Sequence, residues 1–400
     1  MNGRTVLTNL KGLLTPDPNS RWKVDRIDDA AIALAEGRVA WMGRRADLPV
    51  EWAGEPLIDG EGGWALPGFV DPHTHLLFGG DRSGEFNRRL QGVPYAQIAA
   101  EGGGIRETVR ATRAATVAEL VTLGEARLKT LHARGVFHVE AKTGYGLELE
   151  AESRLMEAYA DLKGRGWSLD VTLLLAHDIP TEFAGDAEGY ARVVAEDWLP
   201  ELMRRHPGLP RYCDVFIEAG VFTVPQGRRI FEAGKRLGLR PRIHADELSW
   251  TGGAELAAEL GAASADHLMF CSEKGMKAMA ATNVTPILLP TTTLCLGMRD
   301  WAPARDMIEA GCEVALASDF NPGSSPCLDP LLVLRLGCLQ LRLTFEEALT
   351  AMTLHAARSL GHGDLGHLYP GARAPIALWP VKDPLELVYW VGEAYAPRVV

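Results

Sequence analysis

Short apolar segments alternate with amphipathic helical segments through most of this chain, and the alternation limits the folds that it can adopt. From residue 66 onward each run of strand length is followed by a stretch with helical spacing of apolar residues, which is typical of a parallel α/β sheet. Eight such units over about 290 residues predict a TIM-type (β/α)8 barrel, whose active site lies at the carboxyl ends of the strands. The strands are predicted at residues 66–71, 135–142, 168–176, 211–217, 239–244, 262–266, 284–290 and 312–318. The clearest helices are predicted at residues 117–133, 149–164, 189–205, 226–237 and 252–261.

Both ends of the chain differ from this central part because they lack helices of ordinary length. The first 65 residues carry short β-like runs separated by turns, and after about residue 358 the helical spacing stops. Two β-rich ends flanking a barrel predict one small β-sandwich domain built from both. We therefore assign residues 1–65 and 359–400 to a composite β domain and residues 66–358 to the barrel.

The composition excludes several classes of partner. Of the 400 residues, 47% are apolar and 23% are charged, which is enough apolar material for a large core. The net charge of −11 and the mixing of basic with acidic residues argue against nucleic acid. No apolar run reaches the ~18 residues of a membrane span, and the amino terminus lacks the core of a signal peptide. The six cysteines have no paired spacing, so we expect free thiols, a cytoplasmic protein and no membrane partner.

Two histidines one residue apart follow the first predicted barrel strand. His73 and His75 end the run that begins at Leu66. Because residues i and i+2 of a strand point the same way, both imidazoles can reach one cation at the strand's end. A His-x-His pair alone is also common in solvated loops, so the later strands decide its meaning.

Further polar residues follow the later strands. They are Lys142 after strand 2, His177 after strand 3, Glu218 after strand 4, His244 and Glu247 after strand 5, Asp266 and His267 after strand 6, and Asp319 after strand 8. Such residues at the ends of many strands favour a barrel over an open doubly wound sheet, whose site lies at one switch point.

Three imidazoles and one carboxylate in this set predict a single metal site. The predicted ligands are His73, His75, His244 and Asp319. This donor set accepts zinc or iron and leaves a position for water, whose pKa the ion lowers to about 7. Asp319 could carry a proton away, Glu247 could pass a proton to a leaving nitrogen, and His267 could polarise a carbonyl or orient Asp319. The sequence leaves the division of these roles open.

Several short motifs surround these residues. They are Asp71-Pro-His-Thr-His75, Phe78-Gly-Gly-Asp-Arg82, Gly102-Gly-Gly-Ile105, Glu140-Ala-Lys-Thr-Gly-Tyr-Gly146, Ala176-His177, His244-Ala-Asp-Glu-Leu248, Asp266-His267, Pro290-Thr-Thr-Thr293 and Ser318-Asp-Phe-Asn-Pro-Gly323. In this order and spacing the chain resembles the amidohydrolase superfamily over most of its length. The resemblance is greatest to members that hydrolyse 4-imidazolone-5-propanoate to N-formimidoyl-L-glutamate in histidine degradation. It implies that activity, one zinc or iron ion per chain and a homodimer.

The resemblance also implies which residues contact the substrate. Arg82 would hold the carboxylate tail of the substrate, because a guanidinium can form two parallel hydrogen bonds to a carboxylate. Tyr95 is a second candidate for the tail pocket. The residues implied to contact the imidazolone are Arg82, Tyr145, His177, Glu247 and Ser324, and those implied to contact the opened product are Tyr145, Asn321 and Gly323.

Some features stay open or depart from the family pattern. Lys142 either shapes the pocket or extends to solvent at its rim. Glu218 stands near the position where many superfamily members carry a metal-bridging lysine, which favours one metal, although Glu218 could bind a second ion. The glycines at 102–104 lack the residues of a phosphate-binding loop and are interpreted as a lid segment. In the carboxyl-terminal segment of the chain, Pro375 stands where the superfamily commonly has an acid.

Two other functions compete with this interpretation. A deaminase acting on a purine or pyrimidine would use the same mononuclear site, but Arg82 and the Gly-Tyr-Gly turn at 144–146 argue against it. A barrel that has lost its metal and its chemistry would not need the complete set of predicted ligands. The sequence therefore predicts a metal-dependent hydrolase acting on a small molecule.

Overall fold

The computed structural model describes residues 3–93, 97–98, 101–373 and 375–400 of the chain. Seventeen β strands are present in these ranges. They are β1 (Thr5–Thr8), β2 (Gly12–Pro16), β3 (Val24–Asp28), β4 (Ala30–Ala35), β5 (Arg38–Arg44), β6 (Leu57–Asp59), β7 (Trp64–Pro67), β8 (Phe69–Thr74), β9 (Val136–Lys142), β10 (Leu169–Ala176), β11 (Pro210–Ile217), β12 (Arg240–Ala245), β13 (Ser264–His267), β14 (Thr285–Leu288), β15 (Ala315–Leu316), β16 (Ile376–Trp379) and β17 (Arg398–Val399).

Helices follow most strands of the central part. They are α1 (Ser83–Leu90), α2 (Ile105–Ala114), α3 (Val117–Ala133), α4 (Leu149–Gly164), α5 (Ala187–Val193), α6 (Leu199–Arg205), α7 (Val224–Arg236), α8 (Gly253–Leu260), α9 (Glu273–Thr282), α10 (Pro290–Leu296), α11 (Ala304–Glu309), α12 (Pro330–Leu339), α13 (Phe345–Met352), α14 (Leu354–Ser359) and α15 (Glu386–Tyr389). The predicted bounds of α3 and α4 are confirmed. The predicted helix at 189–205 consists of α5, a π-helical turn at Val194–Trp198 and α6. Within the described ranges no helix is long and apolar enough to cross a bilayer.

Eight parallel strands, β8 to β15 in sequence order, form one sheet. Its two ends meet after β15, where the backbone N–H of Asp319 donates to the carbonyl of His73 at 3.1 Å and that of His75 donates to the carbonyl of Phe320 at 2.9 Å. These bonds join the last segment to the first strand, so the predicted (β/α)8 barrel is confirmed. Strand β15 is shorter at both ends than the predicted 312–318, and the residues after it form backbone hydrogen bonds with β8.

The first barrel strand begins later than predicted. Residues 66 and 67 belong to β7, which pairs with β16 rather than with the barrel. The change of direction falls at Gly68, whose N–H donates to the carbonyl of Pro375 at 2.8 Å. A Cβ at this position would lie 2.0 Å from the Phe137 ring, so only glycine fits there.

Two smaller sheets complete the fold. One has the order β5-β4-β1-β6 and the other the order β17-β16-β7-β2-β3. The second sheet contains strands from both ends of the chain, because β16 pairs antiparallel with β7 and β17. This pairing supports the composite β domain that we propose from the sequence, and the confirmed fold is a barrel with a smaller β unit beside it.

Candidate active site

The end of β8 brings His73 and His75 to the carboxyl end of the barrel. Both side chains are buried, and their Nε2 atoms lie 3.4 and 3.3 Å from Oδ1 of Asp319. Asp319 reaches this point because the segment after β15 forms backbone hydrogen bonds with β8. Three of the predicted metal ligands therefore lie together, although they come from opposite ends of the barrel sequence.

His244, at the end of β12, joins the same group. Its Nε2 lies 3.4 Å from Nε2 of His75. Ligand atoms bound 2.0–2.1 Å from a tetrahedral zinc ion stand about 3.3–3.4 Å apart, so these separations match a metal site. In the described part of the chain the buried Nε2 of His73 and Oδ1 of Asp319 have no hydrogen-bond partner. Because a cation would satisfy both atoms, the donor set fits a bound metal ion.

Two buried acids contact the other ring nitrogen of two of these histidines. Oδ2 of Asp266 lies 2.6 Å from Nδ1 of His73, and Oδ2 of Asp214 lies 2.9 Å from Nδ1 of His244. A carboxylate at Nδ1 keeps the proton there and directs Nε2 toward the metal. Asp214 is not among the site residues predicted from the sequence, although an acid between apolar residues of a buried strand is a signal that could identify it.

Lys142 contacts the same acids from within the barrel. Its Nζ lies 2.9 Å from Asp214, 3.0 Å from Glu140 and 3.7 Å from Asp266. Burial acts to lower the pKa of Lys142, but the three carboxylates outweigh it and raise that pKa. The side chain is fully buried, so the interpretation of Lys142 as a rim lysine reaching solvent is wrong. Lys142 is instead a counter-ion for the acids that contact the histidines.

The turn after β15 holds Asp319 and three predicted substrate contacts. Thr292 donates a hydrogen bond of 2.6 Å to Oδ2 of Asp319, which leaves Oδ1 toward the histidines. The side chain of Asn321 donates to the Asp319 carbonyl at 2.7 Å, and its Oδ1 accepts from the N–H groups of Gly323 and Ser324 at 2.8 and 2.7 Å. Asn321 thus fixes the shape of the turn beside the candidate ligand.

Glu247 and His267 lie close to each other next to the metal ligands. Nε2 of His267 is 3.5 Å from Oε2 of Glu247. Burial raises the pKa of Glu247, and the nearby His267 opposes this rise. His267 has a φ of 77°, a strained value for a residue other than glycine. Among the described residues neither ring nitrogen of His267 has a hydrogen-bond partner, and its ligand atoms cluster with those of His73 and His244. Its ring is therefore available to a metal or a substrate.

Aromatic rings cover one side of the site. The His177 ring stacks on that of His75, with centroids 4.8 Å apart and planes inclined by 19°, and the Tyr145 ring lies 5.2 Å from His177. Burial lowers the pKa of His177 to about 3, so this imidazole is neutral at physiological pH. The carboxylate of Glu152 accepts hydrogen bonds from two N–H groups of the 144–146 turn, at 3.1 and 2.7 Å. Glu152 therefore fixes the turn that carries Tyr145.

Arg82 lies beside the turn after β15. A Cβ at Gly323 would be 1.9 Å from Nη1 of Arg82, so the glycine leaves room for the guanidinium. Arg82 also forms two hydrogen bonds to Glu85, at 3.1 and 2.5 Å, and Glu85 accepts a further one from Gly104 at 2.8 Å. The structure thus places Arg82 near the other predicted contacts. Tyr95 lies outside the described residues.

Glu218 does not join the metal group. Its carboxylate accepts hydrogen bonds from the N–H groups of Ala219 at 2.8 Å and Leu248 at 2.9 Å, and from the hydroxyl of Ser249. No cluster of potential ligands among the described residues contains Glu218. These contacts argue against the alternative in which Glu218 binds a second ion, and they show that it holds the loop after β12.

The fold and this cluster of histidine and aspartate define a metal-dependent hydrolase. The amidohydrolase family matches residues 217–396. An imidazolonepropionase of Myxococcus xanthus is 46% identical to the chain, over 99% of this chain and 95% of the relative. Another, from Cupriavidus pinatubonensis, is 44% identical over 94% and 88% of the two chains. The chain therefore belongs to the imidazolonepropionase family of the amidohydrolases.

Solved structures of more distant proteins share the fold. An N-isopropylammelide isopropylaminohydrolase from Burkholderia multivorans superposes with a TM-score of 0.71 at 20% identity, over 100% of this chain and 96% of the other. A guanine deaminase from C. acetobutylicum superposes with a TM-score of 0.71 at 14% identity, over 99% of both chains. At these identities the similarity extends to the fold alone.

Proposed function

We propose that this chain is a metal-dependent hydrolase that opens the ring of 4-imidazolone-5-propanoate to N-formimidoyl-L-glutamate. The observation that carries the proposal is the convergence of the predicted ligands in a chain 46% identical to an imidazolonepropionase over nearly its whole length. In such a reaction water adds to a ring carbon, a C–N bond breaks and the leaving nitrogen takes up a proton. The site needs a nucleophile, a proton carrier and a group that binds the carboxylate tail.

One zinc or iron ion per chain would be held by the four predicted ligands, which are His73, His75, His244 and Asp319. When bound, the ion supplies a water acidified to a pKa of about 7, and hence a nucleophile at neutral pH. Asp266 and Asp214 keep the Nδ1 protons on two of the imidazoles. Three imidazoles and a carboxylate accept either metal, so the donor set alone leaves the choice of element open.

The remaining chemistry belongs to three side chains. Asp319 accepts a proton from the attacking water while Thr292 holds its other oxygen. Glu247, ionised in the resting enzyme, takes over this proton and passes it to the leaving nitrogen, and its raised pKa suits such a relay. His267 polarises the ring carbonyl with a ring nitrogen that has no hydrogen-bond partner among the described residues, although Nε2 lies 3.5 Å from Glu247.

The substrate contacts follow from the same geometry and from the family resemblance. Tyr145 and His177 form a flat surface that suits a planar ring. Arg82 binds the carboxylate tail, and Asn321 with its turn lies where the opened product would be. The free cysteines lead us to expect a cytoplasmic protein. The family resemblance leads us to expect a homodimer, which light scattering of the purified protein tests.

A nucleobase deaminase is the second candidate, because the guanine deaminase from C. acetobutylicum shares the fold. Deamination releases ammonia, whereas ring opening adds one water to the substrate. Mass spectrometry after incubation with 4-imidazolone-5-propanoate should find N-formimidoyl-L-glutamate, and incubation with purines or pyrimidines should release no ammonia. Ammonia from a nucleobase without ring opening of the imidazolone would contradict the proposal.

A further inference from the structure

The charge of Arg82 is already balanced within the protein. Its guanidinium and the carboxylate of Glu85 form a bidentate pair, and both side chains are only 9% exposed. A pair of this kind carries no net charge and has its hydrogen-bonding groups partly used. A substrate carboxylate entering beside it would therefore gain little net electrostatic attraction from Arg82 alone.

Arg89 is a second arginine at the same place, about two helical turns beyond Arg82 along α1. Its Nη2 atom donates to the carbonyl of Gly323 at 3.2 Å, and Gly323 is the residue that also adjoins Arg82. The Nε of Arg89 is buried and has no hydrogen-bond partner among the described residues. A buried guanidinium nitrogen without a partner is costly, and an incoming anion would satisfy it.

The hydrogen bond to Gly323 places the guanidinium of Arg89 on the side of α1 that faces the turn carrying Asp319. Burial raises the pKa of the Cys295 thiol, the charge of Arg89 acts against this rise, and Asp319 acts with it. Cys295 thus lies within electrostatic reach of both Arg89 and the candidate metal ligand Asp319. Arg88, the preceding residue, is instead paired with Glu101 at 2.5 Å and is 39% exposed.

We propose that Arg89 is a specificity-determining residue that binds the carboxylate tail of the substrate together with Arg82, because the single carboxylate of Glu85 cannot neutralise both guanidinium groups. The inference rests on the proposed function, because it takes the substrate to carry a carboxylate. Arg82 then fixes the position of the substrate carboxylate, and Arg89 makes the site selective for its negative charge. An enzyme built this way discriminates strongly against a neutral tail of the same shape.

The test measures binding of two stable probes to the metal-loaded protein by calorimetry: imidazole-4-propanoate and its uncharged primary amide. We expect the unmutated protein to prefer the carboxylate by about tenfold or more, the range for a charge-assisted hydrogen bond. Arg89→Met should lose most of that preference while its affinity for the amide stays the same. Arg89→Lys should keep part of the preference for the carboxylate, because the positive charge remains but the bidentate geometry of the guanidinium is lost.

Arg88→Met is the matched control, since it removes a charge from the same helix and should leave both affinities unchanged. Metal content and the thermal melting curve of each variant establish that it is folded. Equal weakening of both probes by Arg89→Met would identify a purely structural role and overturn the inference, as would an unchanged preference or the absence of any preference in the unmutated protein.

Turnover separates this inference from the proposed function. If the unmutated protein opens the imidazolone ring but Arg89→Met leaves KM unchanged, only the role of Arg89 is wrong. If it does not open the ring yet prefers the carboxylate probe through Arg89, the carboxylate subsite stands and the reaction is wrong.

Discussion

The ring orientation of two histidines at this site depends on acids that are distant in sequence. Asp266 contacts His73 at 2.6 Å, and Asp214 contacts His244 at 2.9 Å. Lys142 in turn contacts both acids. These contacts fix the ring nitrogen that each histidine offers, so the candidate metal ligands depend on residues outside the proposed ligand set.

Removing a ligand should remove the metal and the activity together. We expect His73→Ala to lower metal affinity more than about 100-fold, since loss of an outer contact alone costs about 10–100-fold, and to abolish turnover. Elemental analysis of the purified variant measures the metal content. Arg82→Ala is the comparison, because it should retain the metal and mainly raise KM. Stoichiometric metal in His73→Ala would contradict the ligand assignment.

Glu247 should control the acidic side of the pH profile. Burial raises its pKa above the ordinary 4.5, so the carboxyl becomes protonated, and unable to accept a proton, at a higher pH than an exposed glutamate. As the pH falls, kcat/KM should therefore decline earlier than an ordinary glutamate would allow. In Glu247→Gln this decline should be absent and kcat should fall about 10²–10⁴-fold, with metal content unchanged. A full pH–rate profile measures both effects, and an unchanged acidic limb in the variant would exclude Glu247 as the titrating group.

At the scale of elements, the loops after the strands decide the geometry of the site. The turn at 144–146 joins β9 to α4 and carries Tyr145, and the turn after β15 carries Asp319. Gly144 has a φ of 105°, and a Cβ there would lie 2.6 Å from the carbonyl oxygen of Leu174. The first turn therefore requires glycine at its first position.

Gly144→Ala should lower the free energy of unfolding by about 1–3 kcal/mol, the usual cost of a strained backbone position, and raise KM by displacing Tyr145. Thermal melts and steady-state kinetics measure the two effects. Gly164→Ala is the matched control at the end of α4, where a Cβ meets nothing within 4 Å, so stability should stay equal or rise slightly. Equal melting temperatures for the two variants would show that the turn is not constrained.

Sequence periodicity predicted most elements but not the bends between them. The helices at 117–133 and 149–164 were predicted with the bounds that the structure has. The first begins at a Thr116–Glu119 capping box, and each ends two residues before a glycine with positive φ, Gly135 and Gly166. The boundary between β7 and β8 was placed wrongly, because an apolar run does not reveal that its first residues pair with β16. Contacts between distant strands, such as that of Asp214 with His244, are absent from local patterns for the same reason.

At the scale of the whole molecule, the barrel brings together residues from strands far apart in sequence. His73 and Asp319 lie at the two ends of the eight-stranded sheet and meet only because the sheet closes. The strand-end residues could be predicted from the sequence because a parallel barrel collects the carboxyl ends of its strands on one face. The smaller β unit, with strands from both chain ends, contributes none of these strand-end residues.

The most direct test of the central claim is the metal dependence of ring opening. Absorbance of freshly prepared 4-imidazolone-5-propanoate is followed after adding the purified protein, the protein stripped by a chelator, and the stripped protein reloaded with zinc or iron. We predict rapid loss of absorbance with the first, loss at only the spontaneous rate with the second, and recovery with the third. Loss that persists at full rate after verified removal of the metal, or no loss above the spontaneous rate with metal bound, would contradict the account.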